Sequence, residues 1–164
     1  MVDRFDLSGK RALITGGGRG LGREMAQAFA EHGADVIIAS RKLDVLEQTA
    51  AEIAEATGRT ITAKACHVGE WEQVSRLADE VYAEFGRVDV LVNNAGMSPL
   101  YESLSAVTED LWRKVIDVNL TGPFRLSALV GERMKEAGAG AIINVSSTAS
   151  LRPGEMELPY GIAK

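Results

Sequence analysis

Residues 13–29 read LITGGGRGLGREMAQAF, in which a short apolar segment passes through a cluster of glycines into a helical pattern. Glycines let a ligand approach the backbone closely, and the first turn of a helix offers unpaired N–H groups and a partial positive charge. In an open α/β sheet, a strand, a glycine loop and a helix in this order form a phosphate site. The stretch therefore predicts a phosphate-containing ligand, and a glycine-rich turn without a ligand is the plainer alternative.

Two common phosphate-binding motifs do not fit this loop. The dinucleotide pattern G-x-G-x-x-G fails in every register, because its last glycine falls on Leu21, Arg23 or Met25. The Walker pattern needs Lys and Ser or Thr after Gly22, where the sequence has arginine and glutamate, so a nucleoside-triphosphate-binding domain is disfavoured. The pattern T-G-x-x-x-G-x-G does fit, starting at Thr15.

Outward from this loop, apolar runs rich in β-branched residues alternate with helical patterns. Strands are predicted at residues 11–15, 35–40, 60–66, 88–93 and 140–147, with helices between them. The runs are continuous, which is typical of strands buried on both faces of a parallel sheet. The alternation predicts a Rossmann-like, doubly wound α/β fold with helices on both faces of the sheet.

The longest helical pattern, over residues 108–137, contains a stop signal. Gly122 and Pro123 would normally end a helix, so the sequence is compatible with one kinked helix or with two. Neither a linker nor a repeat interrupts the chain, and residues 1–164 are predicted to form a single domain.

Composition narrows the class of protein. Of the 164 residues, 46% are hydrophobic and 25% are charged, which indicates a globular domain. The net charge of −5 argues against a nucleic-acid partner and against electrostatic binding to a membrane. Cys66 is the single cysteine, and neither a secretory segment nor an apolar run of the ~18 residues that a membrane span needs is present. We therefore predict a cytoplasmic protein.

Further motifs sharpen the function. NNAG occupies residues 93–96, Asn119 lies in DVNLTG, NVSS ends at Ser147, and YGIAK closes the chain. With the glycine loop, these motifs resemble the short-chain dehydrogenase/reductase family, in its order and spacing, from about residue 5 to the last residue. The resemblance implies a nicotinamide cofactor and four catalytic positions, which are Asn119, Ser147, Tyr160 and Lys164. The implied cofactor-binding residues are Gly16, Gly18, Arg19, Gly20, Leu21, Gly22, Ser40, Arg41, Lys42, His67, Val68, Asn94, Ala95, Gly96, Tyr160 and Lys164.

The residues after the second strand indicate which nicotinamide cofactor is bound. Dinucleotide folds usually place an acid there, ~20 residues past the glycines, to hold the ribose 2′-OH. This chain has Ser40 followed by Arg41 and Lys42, with Arg19 in the glycine loop. Because a guanidinium suits a phosphate, we predict NADP(H) over NAD(H). Arg41 and Lys42 could instead simply begin a solvated helix.

One position departs from the family pattern. After the third strand the family usually carries an aspartate that contacts the adenine, and this chain has His67 followed by Val68. His67 is predicted to lie near the adenine, with a plain surface role as the alternative. A metal site is not predicted, because His32 is the only other histidine and no cluster surrounds either one.

The resemblance assigns to Tyr160 the proton that travels with the hydride. An unperturbed phenol has a pKa of about 10, and a cation one helical turn away lowers it. The four-residue spacing places Lys164 on the same helical face as Tyr160. Ser147 would donate a hydrogen bond to the substrate oxygen, and Asn119 would hold a water that links Lys164 to solvent.

Each catalytic assignment has a structural alternative. Ser147 could cap a strand end, Asn119 could interrupt a helix, and Tyr160 could be a surface residue. A protein of a different class is also compatible with these motifs, namely one that binds NADP(H) as a sensor or scaffold without catalytic turnover.

The substrate is predicted only as a secondary alcohol or ketone; 3-oxoacyl thioesters, sugar acids, steroids and small ketones all stay open.

The resemblance also implies more chain than is present. The family continues well past the position of Lys164, so the sequence is expected to be the first part of a longer domain whose C-terminal strands are missing, and to have little activity alone. The strand at 140–147 would then have one open edge. In its full-length form the protein is expected to be a homodimer or homotetramer, paired through the helix around 108–137.

Overall fold

The computed structural model describes residues 4–164, and a five-stranded parallel sheet runs through it. The strands are β1 (Arg11–Thr15), β2 (Asp35–Ser40), β3 (Ile61–Ala65), β4 (Val90–Asn93) and β5 (Ala141–Asn144). The helices are α1 (Gly20–Glu31), α2 (Leu43–Thr57), α3 (Trp71–Phe85), α4 (Glu109–Ile116), α5 (Gly122–Glu136) and α6 (Leu158–Ala163). The strand order β3-β2-β1-β4-β5 confirms the predicted doubly wound α/β fold.

β1, β2 and β4 are buried on both faces, because helices pack on either side of the sheet and successive residues of a strand point to opposite sides. Leu13 of β1 packs with side chains of α3 and α5, whereas its neighbours Ala12 and Ile14 pack with α1 and α2. This explains the continuous apolar runs in the sequence. Cys66 lies in the first of these cores, where burial raises the pKa of its thiol to about 11 and keeps the thiol protonated at neutral pH.

The pattern at 108–137 forms one interrupted helix. α4 passes through a π-helical turn, Asp117–Thr121, directly into α5, and Gly122 keeps helical dihedral angles (φ −62°, ψ −54°). Pro123 lies in the first turn of α5, where its missing N–H costs little. Gly122 is required because a Cβ there would lie 2.0 Å from the Val68 carbonyl oxygen.

The strand order reverses at the boundary between β1 and β4, since the chain first builds one half of the sheet outward from β1 and then the other. In open α/β sheets the carboxyl ends of the strands at this switch point bind ligands. The glycine loop follows β1, and the NNAG segment follows β4, so the two motifs emerge side by side at this edge.

β5 is shorter than predicted and lies at the edge of the sheet. It pairs with β4 in register, Val90 with Ala141 and Asn93 with Asn144. The Val145 N–H still donates to the Asn93 carbonyl, and the chain then leaves the sheet for a short 3-10 turn at Thr148–Ser150. All four residues of β5 are exposed. This departure from the sheet carries Ser147 toward α6.

Candidate active site

The loop after β1 is held tightly by its glycines. Gly16 has φ +70° and donates its N–H to the Ala39 carbonyl at 2.7 Å. A Cβ at Gly17 would approach the Ile38 side chain to 2.5 Å. α1 then begins without any side-chain cap. The N–H groups of its first turn are therefore available to an anion, as a phosphate site requires.

Two threonines outside the predicted cofactor-binding and catalytic residues hold this loop in place. The Thr15 hydroxyl accepts the N–H groups of Asn94 and Ala95, each at 3.1 Å, and so ties the glycine loop to the NNAG segment. The Thr49 hydroxyl donates to the Gly18 carbonyl at 3.0 Å, which anchors the loop to α2. Of these two threonines, only Thr15 could be found from the sequence, because it is the first residue of the T-G-x-x-x-G-x-G pattern.

Gly22 is the tightest point of the loop and gives a first test. A Cβ there would lie 2.2 Å from the Gly16 carbonyl oxygen and 2.6 Å from Asn94 Nδ2. We expect Gly22→Ala to lower the free energy of unfolding by about 1–3 kcal/mol or more, measured by urea denaturation, because the overlap must move backbone.

The matched control is Gly131→Ala, in the middle of α5. A Cβ at Gly131 meets its nearest atom at 3.4 Å, with helical backbone on both sides. We expect this change to leave stability unaltered or to raise it by about 0.5–1 kcal/mol, as Ala does over Gly within helices. Equal losses for both variants would contradict the steric role of Gly22.

Exposed cations follow the end of β2 and occur in the glycine loop. Ser40 is the last residue of that strand, and Arg41 and Lys42 follow it at the surface. Arg19 and Leu21 are exposed at the start of α1. Within residues 4–164, the charged ends of Arg19, Arg41 and Lys42 form no ion pair or hydrogen bond. The structure therefore leaves these three cations free to meet an anionic ligand.

His67 and Val68 follow β3 at the same edge of the sheet. His67 Nδ1 accepts the Gly69 N–H at 3.1 Å, so the neutral ring carries its proton on Nε2. The half-buried Val68 lies against the π-helical segment through its carbonyl contact with Gly122. The proximity of His67 to an adenine stays a prediction.

The π-helical turn places Asn119 beside the NNAG segment. Asn119 is 5% exposed, and its amide bonds both backbone groups of Met97, accepting from the N–H at 3.0 Å and donating to the carbonyl at 2.8 Å. It also donates to the Val115 carbonyl at 2.9 Å. Gly96 lies against this cluster, because a Cβ added at Gly96 would lie 2.9 Å from Asn119 Oδ1 and 3.6 Å from Lys164 Nζ.

Tyr160 and Lys164 lie one turn apart on α6. The Lys164 N–H donates to the Tyr160 carbonyl at 3.1 Å, and Lys164 Nζ lies 6.0 Å from the centre of the Tyr160 ring. Nζ donates to the Val145 carbonyl at 2.5 Å. Burial lowers the pKa of Lys164 from its usual value, because the half-buried ammonium loses hydration. A lowered pKa makes this ammonium a readier proton donor.

Ser147 lies in the extended segment that leads from β5 to α6. Its Oγ accepts the Ala149 N–H at 3.2 Å and so caps the 3-10 turn at Thr148–Ser150. The alternative from the sequence was a cap on the strand end, but Ser147 lies beyond the end of β5 and caps the turn that follows it. Its catalytic role stays a prediction. An oxygen that accepts in this way still carries a hydroxyl hydrogen, which is free to donate to a substrate.

An open cleft of about 350 Å³ lies beside Lys164, on the side of β5. Its exposed lining is mainly apolar, with Leu120, Pro123, Phe124, Val145 and Ala163 beside the polar side chains of Asn93, Asn119, Ser127, Asn144 and Ser146. Among residues 4–164, no group of three His, Cys, Asp or Glu side chains is arranged to hold a metal ion. Over the same range, every helix is too short or too polar to cross a membrane.

The chain is similar to known proteins over nearly its whole length. The family model for short chain dehydrogenase matches residues 10–164. Dehydrogenase/reductase SDR family member 4 of Pongo abelii is 35% identical, with 100% of this chain and 59% of that protein covered. D-threitol dehydrogenase of Mycolicibacterium smegmatis is 37% identical, with 98% of this chain and 61% of that protein covered.

A solved structure shares both sequence and backbone. It is a metagenomic short-chain oxidoreductase in complex with NADP, 34% identical, with a TM-score of 0.92 over 96% of this chain and 71% of that one. The chain spans about 59% of the length of its relative from Pongo abelii. The family model, the level of identity and the shared fold together establish that this chain belongs to the short-chain dehydrogenase family.

Proposed function

We propose that this chain carries the cofactor site and the catalytic groups of an NADP(H)-dependent oxidoreductase that interconverts a secondary alcohol and its ketone. The observation that carries the proposal is the position of Gly96. Asn119 and Lys164 both lie beside it, and it is the last residue of the NNAG segment, which Thr15 ties to the glycine loop. A nicotinamide bound along this edge would thus lie beside the proton-transferring groups.

When bound, the cofactor would supply the hydride for ketone reduction and accept it in alcohol oxidation, and the residues of this chain hold and move the proton. Tyr160 is the general acid for ketone reduction and the general base for alcohol oxidation. Ser147 donates its free hydroxyl hydrogen to the substrate oxygen as charge develops there. Lys164, with its lowered pKa, returns a proton to Tyr160 after ketone reduction.

Four observations support NADP(H) as the cofactor. The end of β2 carries Ser40 and no carboxylate, Arg41 and Lys42 are exposed directly after it, and Arg19 is exposed in the glycine loop. A 2′-phosphate placed there would meet cations that have no other partner within residues 4–164, and each charge-assisted hydrogen bond strengthens binding. The related metagenomic oxidoreductase was crystallised with NADP.

The test is a substrate panel with the full-length protein, followed by NADPH absorbance. The panel contains sugar-derived polyols and ketoses, 3-oxoacyl thioesters, steroids and small ketones. We expect turnover of at least one class, with NADPH preferred over NADH by about 10–100-fold, since a charge-assisted hydrogen bond contributes about 1.5–3 kcal/mol. Tight NADPH binding with no turnover of any class would instead support the sensor or scaffold interpretation.

A further inference from the structure

Tyr101 is a residue that none of the motifs selects, yet its hydroxyl joins two segments at the site. It lies between β4 and α4. The hydroxyl oxygen accepts the Leu158 N–H at 2.9 Å, and the hydroxyl donates to the Glu155 carbonyl. A side chain that follows β4 is thereby bonded to the backbone of the segment that leads into α6.

The Leu158 N–H is one of the donors that a helix leaves unpaired at its start. Glu157, the residue before α6, provides no side-chain cap. The Tyr101 hydroxyl therefore supplies, from 57 residues away in sequence, the acceptor that a local serine or aspartate usually supplies.

α6 is fixed at three points within its described residues. Its middle is fixed by Gly161, where a Cβ would lie 2.6 Å from the Ala149 carbonyl oxygen. Its end is fixed by the bond from Lys164 Nζ to the Val145 carbonyl. Tyr101 holds the third point, the start of the helix, two residues before Tyr160.

Tyr101 also lies beside the catalytic tyrosine. The two rings line the same narrow crevice, together with Leu111 and Val115 of α4 and with Pro159 of α6. A change in the position of the Tyr101 ring or hydroxyl would therefore move the first turn of α6.

From these contacts we infer that Tyr101 is a positioning residue for Tyr160, acting through the first turn of α6. The inference rests on the proposed function, in which Tyr160 transfers the proton. It assigns Tyr101 no contact with substrate or cofactor. Because the hydroxyl bridges two segments, removing it lets the start of α6 shift while the ring still fills the crevice.

The test is Tyr101→Phe in the full-length protein. We expect kcat to fall about 10-fold, since a misplacement of 1 Å at a reacting group can cost up to about 100-fold. The dissociation constant for NADPH is expected to change by less than about twofold, because Tyr101 is not among the residues assigned to the cofactor. A purely structural role would lower kcat and cofactor affinity together.

The matched control is Tyr82→Phe. The Tyr82 hydroxyl also donates to a backbone carbonyl, that of Val130 at 3.5 Å, but it lies between α3 and α5. We expect this variant to keep the kcat of the unaltered protein. The same pair can be compared by NMR of protein with ¹³C-labelled tyrosine rings, in which each Tyr→Phe variant identifies its own signal. Tyr101→Phe should shift the Tyr160 signal, and Tyr82→Phe should not.

An unchanged kcat in Tyr101→Phe, or a fall matched by an equal loss of NADPH affinity, would overturn the inference. Failure of the proposed function looks different. If the unaltered protein reduces no ketone and oxidises no alcohol, that proposal fails, and the NMR shift of Tyr160 then decides alone whether Tyr101 positions it.

Discussion

Replacing Tyr160 with phenylalanine in the full-length protein is expected to lower kcat by about 10²–10⁴-fold, the usual contribution of a general acid–base group. The phenyl ring keeps the packing against α4, so only the proton-transferring hydroxyl is lost. NADPH binding, measured by quenching of intrinsic fluorescence, is expected to weaken by no more than about tenfold, because the other residues assigned to the cofactor are unchanged. The split between turnover and binding separates catalysis from folding.

Tyr82→Phe is again the control, since it removes a phenolic hydroxyl that lies between α3 and α5. Full turnover by the Tyr160 variant would refute the assignment of the proton to this residue. Loss of turnover together with loss of NADPH binding would show that the substitution damages the fold, and would remove this support for the mechanism.

The second large effect is expected at the end of β2. Ser40→Asp places a carboxylate where dinucleotide sites usually hold a ribose 2′-OH, and where NADP(H) would place a phosphate. Juxtaposed like charges cost several kcal/mol, so we expect the NADPH-to-NADH preference in kcat/KM to fall by about 100-fold or more. The pairing of the sheet should survive, because the contact of Ser40 with β3 is made by its backbone carbonyl, which accepts the Cys66 N–H at 2.8 Å.

Ser40→Ala is the control for this change, because it removes the hydroxyl without adding charge. We expect its cofactor preference to stay within about threefold of the unaltered protein, in line with the small effect of most surface substitutions. If the aspartate variant retains its preference for NADPH, then Arg19, Arg41 and Lys42 are ordinary surface cations and the cofactor assignment fails.

The sheet was predictable because its signals are local. Continuous apolar runs marked β1, β2 and β4, and the structure explains them through the two cores that Leu13 and Ile14 enter from opposite faces. The helix predicted between the third and fourth strands is observed as α3. The end of β5 was predicted three residues too late, because Val145 and the serines after it suit a strand but leave the sheet to reach α6.

The contacts that organise the site were not predictable, because they join distant parts of the chain. Nothing near Tyr101 indicates that its hydroxyl meets Leu158, and nothing near Thr49 indicates a bond to Gly18. The stop signal at Gly122 and Pro123 could not be resolved either, since it is the close approach to Val68 that requires the glycine. The catalytic roles, the cytoplasmic location, the adenine contact of His67 and the homo-oligomer stay predictions.

The π-helical turn at Asp117–Thr121 limits how this region can change in length. α4, before the turn, packs on α6, and α5, after it, packs on α3. Each residue of a helix rotates the following side chains by about 100°, so deleting one residue from the turn would swing one half of the helix away from its partner. Loops elsewhere tolerate gaps and additions between homologues. This internal segment should therefore keep a constant residue count across lineages that retain the same arrangement of Asn119 and α3, even where its amino acids differ.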